Sequence, residues 1–364
     1  MLYASGANLH GQLQPGEQLQ LPTPVLVSSF SSFIACSWSQ LVSRDTTGTV
    51  HLHGLSLAPL DPPVDLEQVA SWIGYDSFEA VLLNDGRIVR VSDGDRTVTR
   101  YTLACMNGKG ELLVIPESNE IQALLYPSLN ALFAAPSVPP LVLSLPSPSP
   151  PQDRFTCLVS GSAHFLLLTS PSQSLYSWGD DRYGQCGPVP PPPAPVSSHP
   201  RANQVTTTLP RLEFFNGLFP VTISCGAFHS AILTKDGSVY LFGSNKEGQL
   251  GLGSLGGVEP ESLELPEEAG EVKQIACGGG YSVVLTEAGE VWAAGASAET
   301  HITLSTSLSL SDHDGQLGLS DLNPRTSFTR NDFFSSLSFP KHRITRIACS
   351  RSTTYIEVSN QTLS

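Results

Sequence analysis

Two stretches of this chain align with each other without a gap, and that internal repetition constrains the fold more than any other feature. The first runs from Ile223-Ser-Cys-Gly through His229-Ser-Ala-Ile-Leu-Thr and Asp236-Gly to Val239-Tyr-Leu-Phe-Gly243. The second runs from Ile275-Ala-Cys-Gly through Tyr281-Ser-Val-Val-Leu-Thr and Ala288-Gly to Val291-Trp-Ala-Ala-Gly295. A third copy extends from Leu158-Val-Ser-Gly to Leu175-Tyr-Ser-Trp-Gly-Asp-Asp-Arg-Tyr-Gly-Gln-Cys-Gly187, and fainter copies open at Ile34, Val69, Leu103 and Ile347. Seven openings at roughly 40 to 50 residues per unit, the length of one propeller blade, fill the chain.

Each unit reads as strand, tight turn, strand. Asp236-Gly237 stands between two alternating apolar runs, where a hairpin turn demands positive φ. Asp85-Gly86, Thr47-Gly48 and Ala288-Gly289 occupy the same place. Gly-Gln-Leu-Gly, at 248–251 and 315–318, ends a unit with glycines for the turn and a leucine for the core. The 31 glycines and 29 prolines favour many short strands, and 40% hydrophobic residues supply a sizeable core. The chain termini complete the pattern. Leu2 to Leu13 reads as the second half of a unit without its first half, and Ile347 to Val358 as the reverse. The expected fold class is therefore all-β: a seven-bladed β-propeller over residues 1–364, one domain, closed by pairing the N- and C-terminal strands so that no sheet edge is left open there.

The pattern Ile-Ala-Cys-Gly, His-Ser, Leu-Thr, Asp-Gly, Val-Tyr, Phe/Trp-Gly, Asn, Gly-Gln-Leu-Gly resembles the regulator of chromosome condensation repeat family, most clearly over 157–187 and 222–320. The layout, which opens directly on a half-repeat, is most similar to the alpha-tubulin suppressor branch. The resemblance implies a seven-bladed propeller acting with a protein partner; the family's founder is a nuclear exchange factor for the small GTPase Ran and binds nucleosomes. This chain departs from the founder. Its formal net charge is −14 and it lacks a basic N-terminal tail, which argues against chromatin and other phosphate backbones. Lys341, His342 and Arg343 form a short basic cluster read as a solvated loop. No exchange-site residue carries over to a numbered position.

The chemistry-bearing residues read as structural. Cys36, Cys105, Cys225, Cys277 and Cys349 share one slot of the repeat, with Ser160 and Ser71 in the others. They are read as small packing residues, spread around a ring too widely to share a metal or a disulfide. His164 and His229 sit four residues later, where Tyr281, Gln40, Lys109 and Thr353 stand in other units, which marks hydrogen bonders rather than catalysts. His51 and His53 alternate on one strand without a third ligand. Gly278-Gly279-Gly280 opens a strand and precedes no helix, so it is no phosphate loop. No nucleophile elbow, P-loop or zinc-helix motif occurs, and no cofactor or metal is expected.

Recognition is expected in the loops. Asp180, Asp181, Arg182 and Tyr183 follow Trp178-Gly179 and form one candidate contact. Leu304, Leu308 and Leu310 form another, in the insertion 296–314 that interrupts a unit before Gly315. Proline-rich loops are expected at about 136–151 and 188–200. An acidic stretch, Glu259, Glu261, Glu264, Glu267 and Glu268, suits either solvation or a basic partner. No secretory signal or membrane span is read, and seven cysteines, an odd count, point to a reducing compartment. The sequence thus indicates a non-enzymatic, monomeric protein-binding scaffold in cytoplasm or nucleus, without direct nucleic-acid or membrane contact. A guanine-nucleotide exchange factor for a small GTPase is the alternative, and a central-channel lyase or hydrolase is the least favoured reading.

Overall fold

A computed structural model describes residues 1–7, 20–27, 30–54, 65–134, 138–147, 150–188, 206–253, 259–296, 316–321, 323–336 and 342–360. Its strands form seven antiparallel sheets, the blades of a propeller. Blades 1 to 6 open at Phe30, Val69, Tyr101, Arg154, Pro220 and Val272, each with three strands in chain order from the axis outward. Blade 7 draws on both ends of the chain: His342–Cys349 and Thr353–Asn360 are continued outward by Leu2–Ala7 and Gln20–Leu26. Leu2 to Gly6 pair with Glu357 to Thr353, so the ring closes by main-chain hydrogen bonds between residues 347 to 357 positions apart.

The core lies mainly between blades; one small cluster, Val81, Leu83, Val89 and Val91, lies within blade 2. Alternation gives every strand two faces, and each blade buries both against its neighbours. Ala231, Leu233, Val239 and Leu241 of blade 5 meet Val272, Ile275, Val284 and Trp292 of blade 6. Equivalent clusters join blades 6 and 7, 7 and 1, 2 and 3, 3 and 4, and 4 and 5. The leucine of Gly-Gln-Leu-Gly fills its place as expected: Leu250 is fully buried and Leu317 nearly so.

Three expectations are corrected. The interval read as a proline-rich loop at 136–151 contains the fourth strand of blade 3, Leu141–Ser144, against which Thr206–Thr208 adds a parallel fifth strand. The proline signal masked a four-residue apolar run. In blade 3 the turn after Cys105 is longer, so Leu112, not Lys109, begins the second strand. In six blades the slot residue pairs with the second residue of the second strand, as Cys225 does with Ser230. Ser71 pairs instead with Leu82, the third residue, because blade 2 carries its turn further along. The segment 188–200 and Leu304, Leu308 and Leu310 lie, apart from Pro188, outside the described residues.

The glycine that ends the strand facing the start of the second strand, in five blades, has one physical cause. Gly6, Gly54, Gly179, Gly243 and Gly295 close the strand that lies against the start of the second strand, all at φ between 105° and 125°. A Cβ on Gly6 would stand 2.2 Å from the Ser352 carbonyl oxygen, whereas one on Gly48, in an open hairpin at φ 94°, meets nothing. Gly6→Ala is expected to destabilise by about 3 kcal/mol or more, against about 1 kcal/mol for Gly48→Ala, which carries only the backbone penalty. Urea titration of both variants checks this; equal losses would mean that the closing strand tolerates displacement.

Candidate functional site

Antiparallel order places two sets of loops on one face of the ring: those joining first to second strands, nearest the axis, and those leaving third strands, further out. The inner loops are tied blade to blade by their own backbones. Trp38 N donates to Tyr75 O, Gly108 N to Gly161 O, Ser162 N to Ala227 O, Ala227 N to Gly279 O and Gly279 N to Arg351 O.

Beneath this ring, a side-chain relay crosses two blade junctions in the same way. His229 Nε2 lies 3.0 Å from Ser282 Oγ of blade 6, and Ser282 Oγ donates to Gln249 O of blade 5. His164, Ser230 and Gln185 repeat the arrangement between blades 4 and 5. Because each hydroxyl proton goes to a carbonyl, the imidazole Nε2 must be the donor and Nδ1 is unprotonated. Tyr281 takes the same position and donates to Ser350 O; Gln40 accepts from Phe78 N. The reading of these positions as hydrogen bonders is therefore carried by geometry. Burial lowers His164 to about 3 and His229 to about 4, so both rings are neutral.

The slot cysteines line the same inner ring. Cys105 Sγ contacts Ser160 Oγ at 3.0 Å, Cys36 Sγ reaches Cys349 O and Cys349 Sγ reaches Ala276 O. Neighbouring slots thus meet through a hydroxyl or a carbonyl rather than sulfur to sulfur. All seven cysteines are free thiols, and burial pushes Cys36 and Cys277 up to about 12 and Cys105 to about 11. Protonated, hydrogen-bonded thiols of this kind are packing groups rather than nucleophiles. Among the described residues no group of three or more His, Cys, Asp or Glu is placed to hold a metal. His51 is bound to Asp45 at 2.8 Å, with the His53 ring 5.9 Å away.

The channel mouth on the loop face is bridged. The blade 2 loop reaches across it: Tyr75 Oη meets Ser162 Oγ of blade 4 at 2.8 Å, and Asp76 pairs with Arg351 of blade 7 at 3.5 Å. Arg351 also stacks over the Trp38 ring at 4.8 Å. Further out, the expected contact residues divide. Asp181 Oδ1 accepts from Cys186 N and builds its own turn, as Asn245 does for Leu250. Asp180 bridges Arg182, at 2.8 Å, and Lys109 of blade 3, at 3.7 Å, and the Arg182 guanidinium holds its carboxyl below the usual range. Tyr183 packs edge-on against Phe228 of blade 5 and lies under Lys246 Nζ at 4.6 Å. Trp38, Tyr75, Phe228, Lys246 and Arg351 escaped the sequence reading because each occupies a variable loop position; their only signal is an aromatic or cation next to a repeat boundary.

A ring of hydrogen-bonded loops on inter-blade cores, with the repeat running through most blades, defines a repeat-built seven-bladed β-propeller. Residues 173–233 and 236–285 match the profile described as Regulator of chromosome condensation (RCC1) repeat, and a second profile of the same description matches 221–249 and 272–299. The chain belongs to this family of repeat propellers. It is 35% identical over 140 residues to the human X-linked retinitis pigmentosa GTPase regulator, a match covering 38% of this chain and 12% of that protein. The Caenorhabditis elegans homolog is 32% identical over 260 residues, 67% of this chain and 16% of the relative, and human Protein RCC2 is 34% identical over 145 residues, 39% and 25%. The matches thus span a quarter or less of these relatives. Prp20p from Saccharomyces cerevisiae shares the fold at a TM-score of 0.69 and 16% identity, over 100% of this chain and 92% of that one. No helix among the described residues is long and apolar enough to cross a membrane.

The buried histidines set a pH dependence. Their folded values lie below the unfolded value near 6.5, so the unfolded chain takes protons first, and stability is lost as pH falls from about 6.5 towards 4. The slope approaches about 1.4 kcal/mol per pH unit for each histidine. His229→Gln, which copies Gln40 of blade 1, is expected to remove one of the two contributions. Urea unfolding at pH 7, 6, 5 and 4 reads the difference; parallel curves for the two proteins would mean that His229 does not carry it.

Proposed function

We propose that this propeller is a non-enzymatic scaffold that binds a protein partner on its loop face. One observation carries the reading: aromatic and arginine side chains from blades 1, 2, 4, 5 and 7 stand together on a backbone-bonded ring around the axis. Trp, Tyr and Arg on a rigid base are the side chains that dominate protein interfaces, since little order is lost on binding. Trp38, Tyr75 and Arg351 form the centre of the contact, and Asp180, Arg182, Tyr183 and Lys246 its polar flank. The insertion with Leu304, Leu308 and Leu310 leaves after Ala296 and returns at Gln316, both on this face, and is the apolar arm of the same proposal. Neutral buried imidazoles and thiols support a binding role over acid–base or nucleophilic catalysis.

The relatives support one partner class. Their names include GTPase regulator, and the Prp20p structure is titled for its binding properties to Gsp1p and histones. Exchange on a small GTPase needs a wedge and no catalytic acid or base, so the rim supports it as a second reading. The negative charge of this chain disfavours histone-free DNA as a ligand.

Recovery from native extract tests both. The wild type is expected to carry a stoichiometric protein that Trp38→Ala/Arg351→Ala reduces about tenfold, with unchanged thermal stability. A nucleotide-release assay with the recovered protein then separates scaffold from exchange factor. Retention of the same partner by the double variant would remove the rim from the interface.

A further inference from the structure

The opposite face carries a second feature that the loop rim does not explain. There, in blades 2, 3, 5 and 6, the residue ahead of the first strand clamps the hairpin between the second and third strands. Asn84 N donates to Gln68 O, Glu117 N to Arg100 O, Lys235 N to Phe219 O and Glu287 N to Glu271 O, all at 2.8–3.0 Å. Three of these clamps use a polar or charged residue at ordinary φ. Blade 5 uses Phe219, at φ 51° and 52% exposed. The chain is its own control: the clamp requires neither an aromatic ring nor a left-handed backbone, and an aromatic residue is strained there.

Phe219 is not alone. Seven large apolar side chains are exposed among the described residues, and three of them, Phe214, Phe219 and Val221, fall within eight positions of one connector. A concentration of this kind marks a contact surface, whereas scattered single residues do not. Its border is acidic. Asp236 lies in the hairpin that Phe219 clamps, Gly237 packs against Glu271, and Glu267 and Glu268 are exposed beside it. The described ion pair at this base joins Arg343 to Glu287 at 3.9 Å; among the described residues none reaches Asp236, Glu267, Glu268 or Glu271. Lys235, Lys273 and Arg211, the last bonded to Asn216, are the local cations against Glu213 and the four border carboxylates, which leaves an excess of negative charge.

We propose that the base of blades 5 and 6 is a second docking site, taking a peptide segment of a protein partner that combines Lys or Arg with bulky apolar side chains. The apolar groups cover Phe214, Phe219 and Val221, and the cations meet the acidic border, which speeds and orients the encounter. The site stands apart from the loop rim and does not depend on the reading of that face.

Fluorescence anisotropy tests it with a labelled Lys/Leu/Trp peptide of about 15 residues, its Glu-for-Lys counterpart and an all-Lys peptide. The full chain is expected to bind the first saturably and about tenfold more tightly than either control. Phe219→Gly relieves the backbone strain, so it is expected to keep Tm within about 2 °C of wild type yet weaken binding about tenfold. Glu267→Lys/Glu268→Lys is expected to do the same. Asp85→Lys/Glu117→Lys, an equal charge change in the base hairpins of blades 2 and 3, and Trp38→Ala on the loop rim are expected to leave binding within about twofold. Undiminished binding by Phe219→Gly, an equal loss with the blade 2 and 3 reversals, or no binding by the wild type would each overturn the proposal.

Discussion

The junctions of blades 4, 5 and 6 rest on a three-part hydrogen bond: an imidazole donates to a hydroxyl of the next blade, and that hydroxyl donates back to a carbonyl. His229, Ser282 and Gln249 make it between blades 5 and 6, and His164, Ser230 and Gln185 between blades 4 and 5. Thr354 returns a hydroxyl to Gln316 O between blades 6 and 7. All of these groups are buried, so each is expensive to leave unpaired, and the relay fixes the radial and vertical position of one blade against the next. The apolar clusters on either side supply most of the attraction, but they do not select a register.

This constraint reaches the surface. The glycine that follows the slot residue lets the imidazole ring lie against the backbone; a Cβ on Gly226 would fall 2.1 Å from the His229 ring. The inner loop is therefore short, and its N–H is free to reach the loop of the next blade. The glycine recurs in blades 4 to 6, and the loop-to-loop backbone bonds run on from blade 3 through blade 7, which gives a stiff collar around the axis. Blade 2 breaks the rule with a longer loop, and that loop bridges the channel mouth through Tyr75 and Asp76. Departure from the repeat and the bridging of the channel mouth thus coincide.

Much of the fold was legible because repetition multiplies weak signals. Asp236-Gly237 alone suggests a hairpin; its counterparts at 48, 86 and 289 turn a suggestion into a period. The half-repeats at the two ends read directly as one blade. The sequence erred where a blade changed a turn length: Lys109 was aligned by count, but three extra residues moved Leu112 into its place, and Ser71 slipped by one pairing step. Leu141–Ser144 hid among prolines. The candidate site was less legible. Asp180 to Tyr183 follow a repeat boundary and could be found, yet the partners they meet, Lys109, Phe228 and Lys246, belong to other blades, and only closure brings them together. Arg351 and Asp76, 275 positions apart, could not have been paired by any local rule.

The central claim is that recognition happens on the collar of inner loops. Hydrogen–deuterium exchange of the protein, alone and in complex with the partner recovered from native extract, addresses it directly. The account predicts added protection at 37–39, 74–79, 180–184 and 350–352, with outer strands such as Val50–Gly54 unchanged. Protection confined to outer strands or to the opposite face, with these loops exchanging as in the free protein, would contradict it.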